Sequence, residues 1–170
     1  MQKMPENKFE HQVFKTELGW AGIVESAGII CRVILPADSK EDVLSITERY
    51  SSSYKVPGYA AEKIILYFQG RQVDFSDLKI KLNAEGFSKD ILKAAARIKY
   101  GSICTYADLA DKAGQKGKAR PAGRALANNP LPVIIPCHRV IKKDGSLGGF
   151  MGSSGNLLKL RMLRLEGVSV

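Results

Sequence analysis

The sequence has few of the residues from which disulfide frameworks and metal sites are built. Its 170 residues include three cysteines and two histidines. The cysteines cannot all pair internally, and the sequence contains no CxxC or HxxxH pair. We therefore predict no structural zinc and no other cofactor. We also expect a reduced intracellular compartment, which is the cytoplasm or, if the source is eukaryotic, the nucleus.

Long apolar runs are also missing. No run approaches the roughly 18 residues that cross a bilayer, and the N-terminal segment MQKMPENKFEHQ lacks the apolar core of a signal peptide. We therefore expect no membrane association. With 45% hydrophobic and 25% charged residues, the composition is typical of a globular chain of one domain or two small ones.

Acidic residues are scarce in the second half of the chain. Residues 1–84 contain 11 basic and 11 acidic side chains, whereas residues 85–170 contain 15 basic and 6 acidic ones and so carry the whole net charge of +9. A charge confined to one half indicates a polyanionic partner for that half. A general basic bias of the proteome is the alternative, and it would spread the excess along the chain.

The first half predicts an antiparallel meander followed by helices. Alternating apolar residues mark strands at residues 13–17, 19–24 and 29–35. Two helical patterns and one more alternation follow at residues 40–50, 59–69 and 78–82. The second helix is predicted to stop at Gly70. Turn residues then predict a boundary between an N-terminal domain, residues 1–84, and a C-terminal domain, residues 85–170.

The second half is mainly helical. Ser88 is the predicted cap of a helix that runs to about residue 99, and Thr105 with Asp108 forms a capping-box start for the next helix. A short basic link leads to a compact helix at residues 119–127, and the pair predicts a helix-turn-helix. The second helix is rich in Ala and Gly where base-reading side chains would be expected. Such residues either let the backbone approach DNA or pack on a neighbouring helix, and spacing alone leaves both possibilities open.

Residues 136–140, with the sequence Pro-Cys-His-Arg-Val, hold the strongest candidate for chemistry. Cys137 is followed by a histidine and an arginine. Cationic or hydrogen-bonding neighbours lower the pKa of a thiol, and the thiolate is the form that attacks. An inert packing cysteine is the alternative, because adjacent side chains in an extended segment point in opposite directions.

The wider segment strengthens the catalytic interpretation. Pro-Cys-His-Arg-Val, preceded by Asn129-Pro130 and followed by Gly148-Gly149-Phe150, resembles the active-site signature of the O6-alkylguanine-DNA alkyltransferases. The resemblance extends from about residue 87 to residue 167 and includes the sequences YGSICTYADLA and ARPAG. It implies an α+β fold with a small N-terminal α/β domain, ribonuclease H-like with an antiparallel sheet. A mainly helical, winged-helix-like C-terminal domain would contain the helix-turn-helix.

The resemblance also implies a repair reaction in which one protein molecule acts once. Cys137 would attack the alkyl carbon of O6-alkylguanine and keep the alkyl group as a thioether. His138 would relay the thiol proton through a water to Glu166, and Tyr106 would donate a proton or hydrogen bond to the departing base. Asn129 would tie the helix-turn-helix to the active-site segment. Arg139 is expected to hold this segment through main-chain carbonyls.

The implied partner is double-stranded DNA, bound in the minor groove by a monomer, with the damaged base extruded from the stack. Arg120 would enter the duplex and fill the gap left by that base. The residues implied to contact DNA are Thr105, Ala119, Arg120, Ala122, Gly123, Arg124 and Ala127. The residues implied to form the base pocket are Tyr106, Val140, Phe150, Met151 and Gly152.

Two positions depart from the family pattern, since Phe150 stands where tyrosine is frequent and Met151 where serine is frequent. About two extra residues also separate Gly152 from the predicted helix at 157–165. A lesion-recognition module of the alkyltransferase-like kind is the main alternative function, but that group lacks the cysteine that is present here as Cys137. A helix-turn-helix regulator is disfavoured by the shortage of base-reading side chains, and a cysteine hydrolase by the lack of an oxyanion-hole signature.

Overall fold

The computed structural model describes residues 9–150 and 155–170. The chain divides into two compact units, Met1–Leu82 and Asn83–Val170. The predicted boundary falls two residues later, between positions 84 and 85. No helix in the described ranges is long and apolar enough to span a bilayer.

An antiparallel meander opens the first unit, as the alternation predicts. Its strands are β1 (Phe9–Thr16), β2 (Gly19–Ser26) and β3 (Ile29–Ala37). Ala27 and Gly28 join β2 to β3 with φ values of 50° and 76°, and two successive positive φ angles are typical of the tight hairpin turn whose twist matches that of the strands. The meander is therefore specified locally by its turn and by its alternating apolar residues.

A short fourth strand completes the sheet. This strand, β4 (Ser53–Tyr54), pairs in parallel with β1, so the strand order is β3-β2-β1-β4. Helix α1 (Lys40–Thr47), capped by the Ser39 side chain, packs on the meander. Gly22 permits this approach, because a Cβ at that position would lie 2.9 Å from the Val43 and Thr47 side chains.

Helix α2 (Tyr59–Phe68) ends where the sequence predicts, with Gly70 at φ 80° just beyond it. The alternation at 78–82 does not form a regular strand. Ile80 makes only an isolated bridge to Ile30, with hydrogen bonds of 2.8 Å from Ile30 N to Lys79 O and from Lys81 N to Ile30 O. Strand β4 has only two residues, which is too short for a periodicity signal, and the sequence did not predict it.

The second unit contains four helices and a small two-stranded sheet in its described residues. The helices are α3 (Gly86–Ala95), α4 (Tyr106–Lys112), α5 (Ala119–Ala127) and α6 (Gly155–Leu165). Strands β5 (Cys104–Thr105) and β6 (Val140–Ile141) pair in parallel. The capping box of Thr105 and Asp108 is present, but the prediction that Ser88 caps α3 is wrong. Glu85 is the cap, because it is extended and its carbonyl already accepts from Lys89 N at 3.4 Å.

Candidate active site and DNA-binding face

The segment between α5 and β6 contains the predicted nucleophile, Cys137, and its predicted partner His138. Residues 131–133 and 135–140 are buried. Val133 adopts φ 75°, a conformation that costs a β-branched residue about 1–3 kcal/mol and persists only where the surroundings impose it. A 3-10 turn, Cys137–Arg139, then leads directly into β6. The packing around this segment therefore fixes its backbone conformation.

Cys137 lies in a closed environment against Asn129. Its residue is 3% exposed, and the Asn129 side-chain amide donates to Sγ at 3.2 Å. The same amide group donates to the Ile135 carbonyl at 2.8 Å, while its oxygen accepts from Leu131 N at 3.0 Å. Burial raises the pKa of the Cys137 thiol, whereas the Asn129 amide and the Lys159 charge oppose that rise. Asn129 thus joins the end of α5 to the sulfur.

Glu166 is the centre of a buried ionic network. Its Oε1 lies 2.6 Å from His138 Nε2, and Arg139 donates to both of its carboxylate oxygens, from Nε at 2.9 Å and from Nη2 at 3.0 Å. The backbone N–H of Gly101 donates to Oε2 at 3.0 Å. Burial by itself would raise the pKa of the Glu166 carboxyl, but the hydrogen bonds from His138 and Arg139 outweigh burial and lower this pKa to about 2. Glu166 is therefore ionised at neutral pH.

Glu166 has two basic partners, His138 and Arg139. His138 was predicted to act with Glu166, whereas the ion pair of Arg139 was not predicted. Burial lowers the pKa of His138, although Glu166 opposes the shift, so the imidazole is neutral at rest and able to accept a proton. The contact between His138 and Glu166 is direct. Arg139 makes one of the expected main-chain bonds, to Ile98 O at 2.6 Å, but its ion pair with Glu166 was not predicted, because no local pattern connects residues that lie 27 positions apart.

A cavity of about 730 Å³ opens beside α5. Four basic side chains line it, and the remaining lining is mostly small or aromatic. The basic residues are Arg120, Arg124, Lys142 and Lys143; the others are Tyr106, Ala107, Ala119, Gly123, Ala127, Gly148, Gly149 and Phe150. A cavity of this size with four basic side chains suits an anionic ligand.

Tyr106 lies between two glycines at this cavity. Its hydroxyl donates to the Gly149 carbonyl at 3.4 Å. A Cβ at Gly148 would lie 3.0 Å from that hydroxyl, and a Cβ at Gly123 would lie 3.5 Å from the ring. Burial raises the pKa of Tyr106, and the nearby Cys137 raises it further. The phenol therefore keeps its proton at neutral pH.

The residues predicted to contact DNA differ in their exposure to solvent. Arg120, Arg124 and Ala127 are exposed, and Ala119 and Gly123 are partly exposed. Ala122 is 0% exposed, which corrects the prediction that it contacts DNA, because its methyl group is covered by the protein. The packing interpretation therefore applies to Ala122, whereas DNA contact stays a prediction for the exposed positions of α5.

Three further predicted residues are Thr105, Val140 and Phe150. Thr105 uses its hydroxyl in the capping box, where Oγ1 accepts from Asp108 N at 3.1 Å. Val140, predicted to form part of the base pocket, has a carbonyl that accepts from Lys159 Nζ at 2.5 Å. Phe150 is buried at the cavity. Met151 and Gly152 lie outside the described residues. No group of His, Cys, Asp and Glu within the described ranges could hold a metal ion.

Lys159 was missed by the sequence reasoning, although a signal existed. Lys159, Met162, Leu163 and Glu166 are all buried, and their spacing of i, i+3, i+4 and i+7 marks the core-facing side of α6. A lysine and a glutamate on that side indicate paired or hydrogen-bonded groups, because neither residue type is buried otherwise.

Comparison with known proteins identifies the family. Residues 86–168 match the family model described as the DNA-binding domain of 6-O-methylguanine DNA methyltransferase. The methylated-DNA–protein-cysteine methyltransferase of Metallosphaera sedula is 42% identical over 106 residues, which are 62% of this chain and 65% of that protein. The chain therefore spans slightly less than two thirds of that relative.

Other relatives are covered more fully. The methylated-DNA–protein-cysteine methyltransferase of Archaeoglobus fulgidus is 38% identical over 130 residues, which are 74% of this chain and 86% of that protein. The crystal structure of Mycobacterium tuberculosis OGT in complex with DNA superposes with a TM-score of 0.75 at 26% identity, covering 92% of both chains. The α+β fold is thus shared with a DNA-bound protein. The chain belongs to the methylated-DNA–protein-cysteine methyltransferase family.

Proposed function

We propose that this protein repairs DNA by moving the alkyl group of O6-alkylguanine irreversibly onto Cys137. One observation carries the proposal: the Cys137 sulfur contacts the Asn129 amide, and the next residue, His138, forms a buried pair with Glu166, in the unit whose cavity has four basic side chains. The protein is a methyltransferase that acts on methylated DNA, and it needs no cofactor, because the nucleophile and the proton acceptor are both side chains.

The reaction forms one bond and breaks one. The Cys137 sulfur bonds to the alkyl carbon while the bond between that carbon and guanine O6 breaks, and the electron pair stays with the base. The thiol proton passes through a water to neutral His138, whose imidazolium form is stabilised by ionised Glu166. Tyr106 donates its proton to the leaving base, and the phenolate then regains a proton from the imidazolium by way of solvent, so the proton lost by sulfur is balanced by the one on the restored guanine. Among the described residues, no group near the sulfur can cleave the thioether, so each molecule reacts once.

The DNA partner is held through its backbone. Arg124 and the small exposed residues of α5, with Thr105 at the start of α4, approach the minor groove, where they do not select a sequence. Arg120 enters the stack in place of the extruded base, a step that costs a few kcal/mol and is offset by contacts in the pocket. Tyr106, Val140, Phe150, Met151 and Gly152 receive the base. Specificity for O6-alkylguanine is thereby assigned to the pocket.

We also propose the finer architecture and setting. The order β3-β2-β1-β4 with parallel β1 and β4 supports a ribonuclease H-like N-terminal domain at residues 1–84, which serves as a scaffold. The α4–α5 pair supports a winged-helix-like domain at residues 85–170. The protein acts as a cytoplasmic monomer, or in the nucleus of a eukaryote. Sedimentation with and without a short duplex tests the monomer, and competition by a minor-groove ligand tests the groove.

Transfer is tested with a duplex that contains one O6-methylguanine. Mass spectrometry should find one methyl group per protein, on the peptide that contains Cys137. Cys137→Ala should abolish the label, whereas Cys104→Ala, at a second buried cysteine, should leave it in place. A label on Cys104 or Cys31, or several repaired duplexes per protein molecule, would contradict the proposal. Binding of the lesion without any transfer would indicate the alkyltransferase-like module instead.

A further inference from the structure

Helix α3 presents three basic side chains to solvent that the proposed reaction does not use. Lys89, Lys93 and Arg97 are exposed, and residues four positions apart are neighbours on one side of a helix. The helical turn at the end of α3 extends to Arg97, whose backbone N–H donates to Ala94 O at 3.2 Å. These three residues are called the α3 basic row below.

The α3 basic row has no carboxylate partner within the described part of the chain, since none of the ion pairs there includes one of its members. The acidic residues next to it are Glu85, at the N-cap position of α3, and Asp90, whose Oδ2 accepts from Gln115 Nε2 at 3.3 Å. Like charges four residues apart destabilise a helix. A row of this kind is typical of a surface whose counter-charge comes from another molecule.

The α3 basic row and the cavity lie on different sides of the α3–α5 pair. Helix α3 packs against α5. The buried side chains of α3, which are Ile91, Leu92 and Ala95, lie roughly opposite to the row. The buried side chains of α5 lie roughly opposite to the residues with which α5 lines the cavity. The order in space is therefore cavity, α5, α3 and basic row, and two helices, each about 10 Å across, separate the two positive surfaces.

The spacing of the α3 basic row suits a nucleic-acid backbone. A helix rises about 1.5 Å per residue, so successive members are about 6 Å apart along the axis. Such a regular line of cations matches a strand that carries one phosphate on every nucleotide. The cavity accounts for only four of the 15 basic residues in positions 85–170, so most of the positive charge of this half lies elsewhere.

We propose that the α3 basic row binds the phosphate backbone of a second duplex segment while the cavity face holds the first, so that the protein passes directly from one segment to another. This inference rests on the proposed function, which supplies duplex DNA as the partner. A straight duplex at the cavity does not reach the row, because about 20 Å of protein lies between them. Direct transfer would let a protein that reacts once search undamaged DNA without being released into solution.

The test follows the release of a short fluorescent duplex from the full-length protein by stopped flow, at rising concentrations of unlabelled duplex. A protein with one DNA surface releases the label at a rate that does not depend on the competitor. A protein with two surfaces binds the competitor first, so its release rate rises with competitor concentration. The triple variant of the row is compared with a control that removes three exposed positive charges from the first unit. The two variants are Lys89→Gln/Lys93→Gln/Arg97→Gln and Arg71→Gln/Lys79→Gln/Lys81→Gln.

The release rate of the unaltered protein and of the control variant should rise in proportion to the competitor, whereas that of the row variant should stay constant. Both variants should keep their Tm, because substitutions at exposed positions change stability little. Salt gives a second measurement on the unaltered protein. With three phosphate contacts, raising the salt from about 50 mM to about 200 mM should reduce the slope of rate against competitor about 40-fold.

A release rate that ignores the competitor in the unaltered protein, or equal slopes in the two triple variants, would overturn the inference. Polyglutamate is the second competitor. If it accelerated release as strongly as duplex DNA does, the row would be a surface for acidic proteins, which would also overturn the inference. Methyl transfer to Cys137 tests the proposed function separately, because the release rates are measured on duplexes without a lesion.

Discussion

Replacing Glu166 by glutamine should destabilise the protein by about 3 kcal/mol at pH 7, because the negative charge is lost while the size of the side chain is kept. The carboxyl has an ordinary pKa of 4.5, which the folded structure lowers to about 2, and that difference corresponds to about 3 kcal/mol of stabilisation. The size agrees with the cost of about 3–5 kcal/mol for breaking a buried ion pair, since Arg139 would keep its charge without its partner.

The pH dependence separates the charge effect from a packing effect. Because the folded pKa is below the unfolded one, the stabilisation by Glu166 is fully present above pH 4.5 and is lost as the pH falls towards 2. Urea unfolding followed by circular dichroism should thus give a difference between the two proteins of about 3 kcal/mol at pH 7 and about 1 kcal/mol at pH 3.

A surface carboxylate provides the control for this prediction. Glu17→Gln, at an exposed carboxylate beyond β1, should change the free energy of unfolding by less than about 0.5 kcal/mol. A constant difference from pH 7 to pH 3 for Glu166→Gln would mean that the amide fits the site poorly. A difference below about 1 kcal/mol at pH 7 would refute the electrostatic argument.

One modification, at Cys137, and two substitutions, at Asn129 and Arg120, give further predictions. Methylation of Cys137, which is 3% exposed, adds volume to a packed site and should lower Tm, with a loss of about 1–3 kcal/mol; calorimetry before and after reaction measures it. Asn129→Ala leaves Leu131 N without its partner and removes one of the two hydrogen bonds to Ile135 O, which keeps the bond from Cys137 N; it should cost about 1–3 kcal/mol, together with a slower transfer seen in quenched-flow assays. Arg120→Ala, at an exposed residue, should leave Tm unchanged and slow repair of duplex DNA, but not the reaction with free O6-methylguanine base. An equal loss with both substrates would assign Arg120 to the pocket instead of the DNA stack.

The elements that the sequence predicted are those determined by neighbouring residues. The capping box of Thr105 and Asp108 joins groups three positions apart, and the stop of α2 depends on Gly70 alone. Ser88 is not the cap because α3 begins two residues earlier, at Gly86, after the extended residue Glu85. Strand β4 and the bridge at Ile80 depend on partners from distant parts of the chain, which periodicity does not report.

In the candidate site, too, the residues that the sequence predicted are mainly those whose partners lie nearby in the chain. The sequence selected Cys137, His138 and Asn129 through one contiguous segment and a family resemblance. It assigned Arg139 to main-chain bonds alone, because its partner Glu166 belongs to another element. It also omitted Lys159, since a lysine on a helix usually lies in solvent, and only the shared spacing with buried neighbours signals the opposite.

The two glycines beside Tyr106, Gly148 and Gly123, differ in how well they would tolerate a side chain. At Gly148 a side chain would need an L-residue at φ 70° and would lie 3.0 Å from the phenol oxygen, whereas at Gly123 a methyl would make ordinary contact at 3.5 Å. Alanine is favoured over glycine inside a helix by about 1 kcal/mol, so α5 is less stable than it could be at a position facing the cavity. Gly123→Ala would therefore give a more heat-resistant protein with a narrower cavity, slower on large alkyl groups. At Gly123, a change that raises thermal stability is therefore expected to narrow the range of alkyl groups that react.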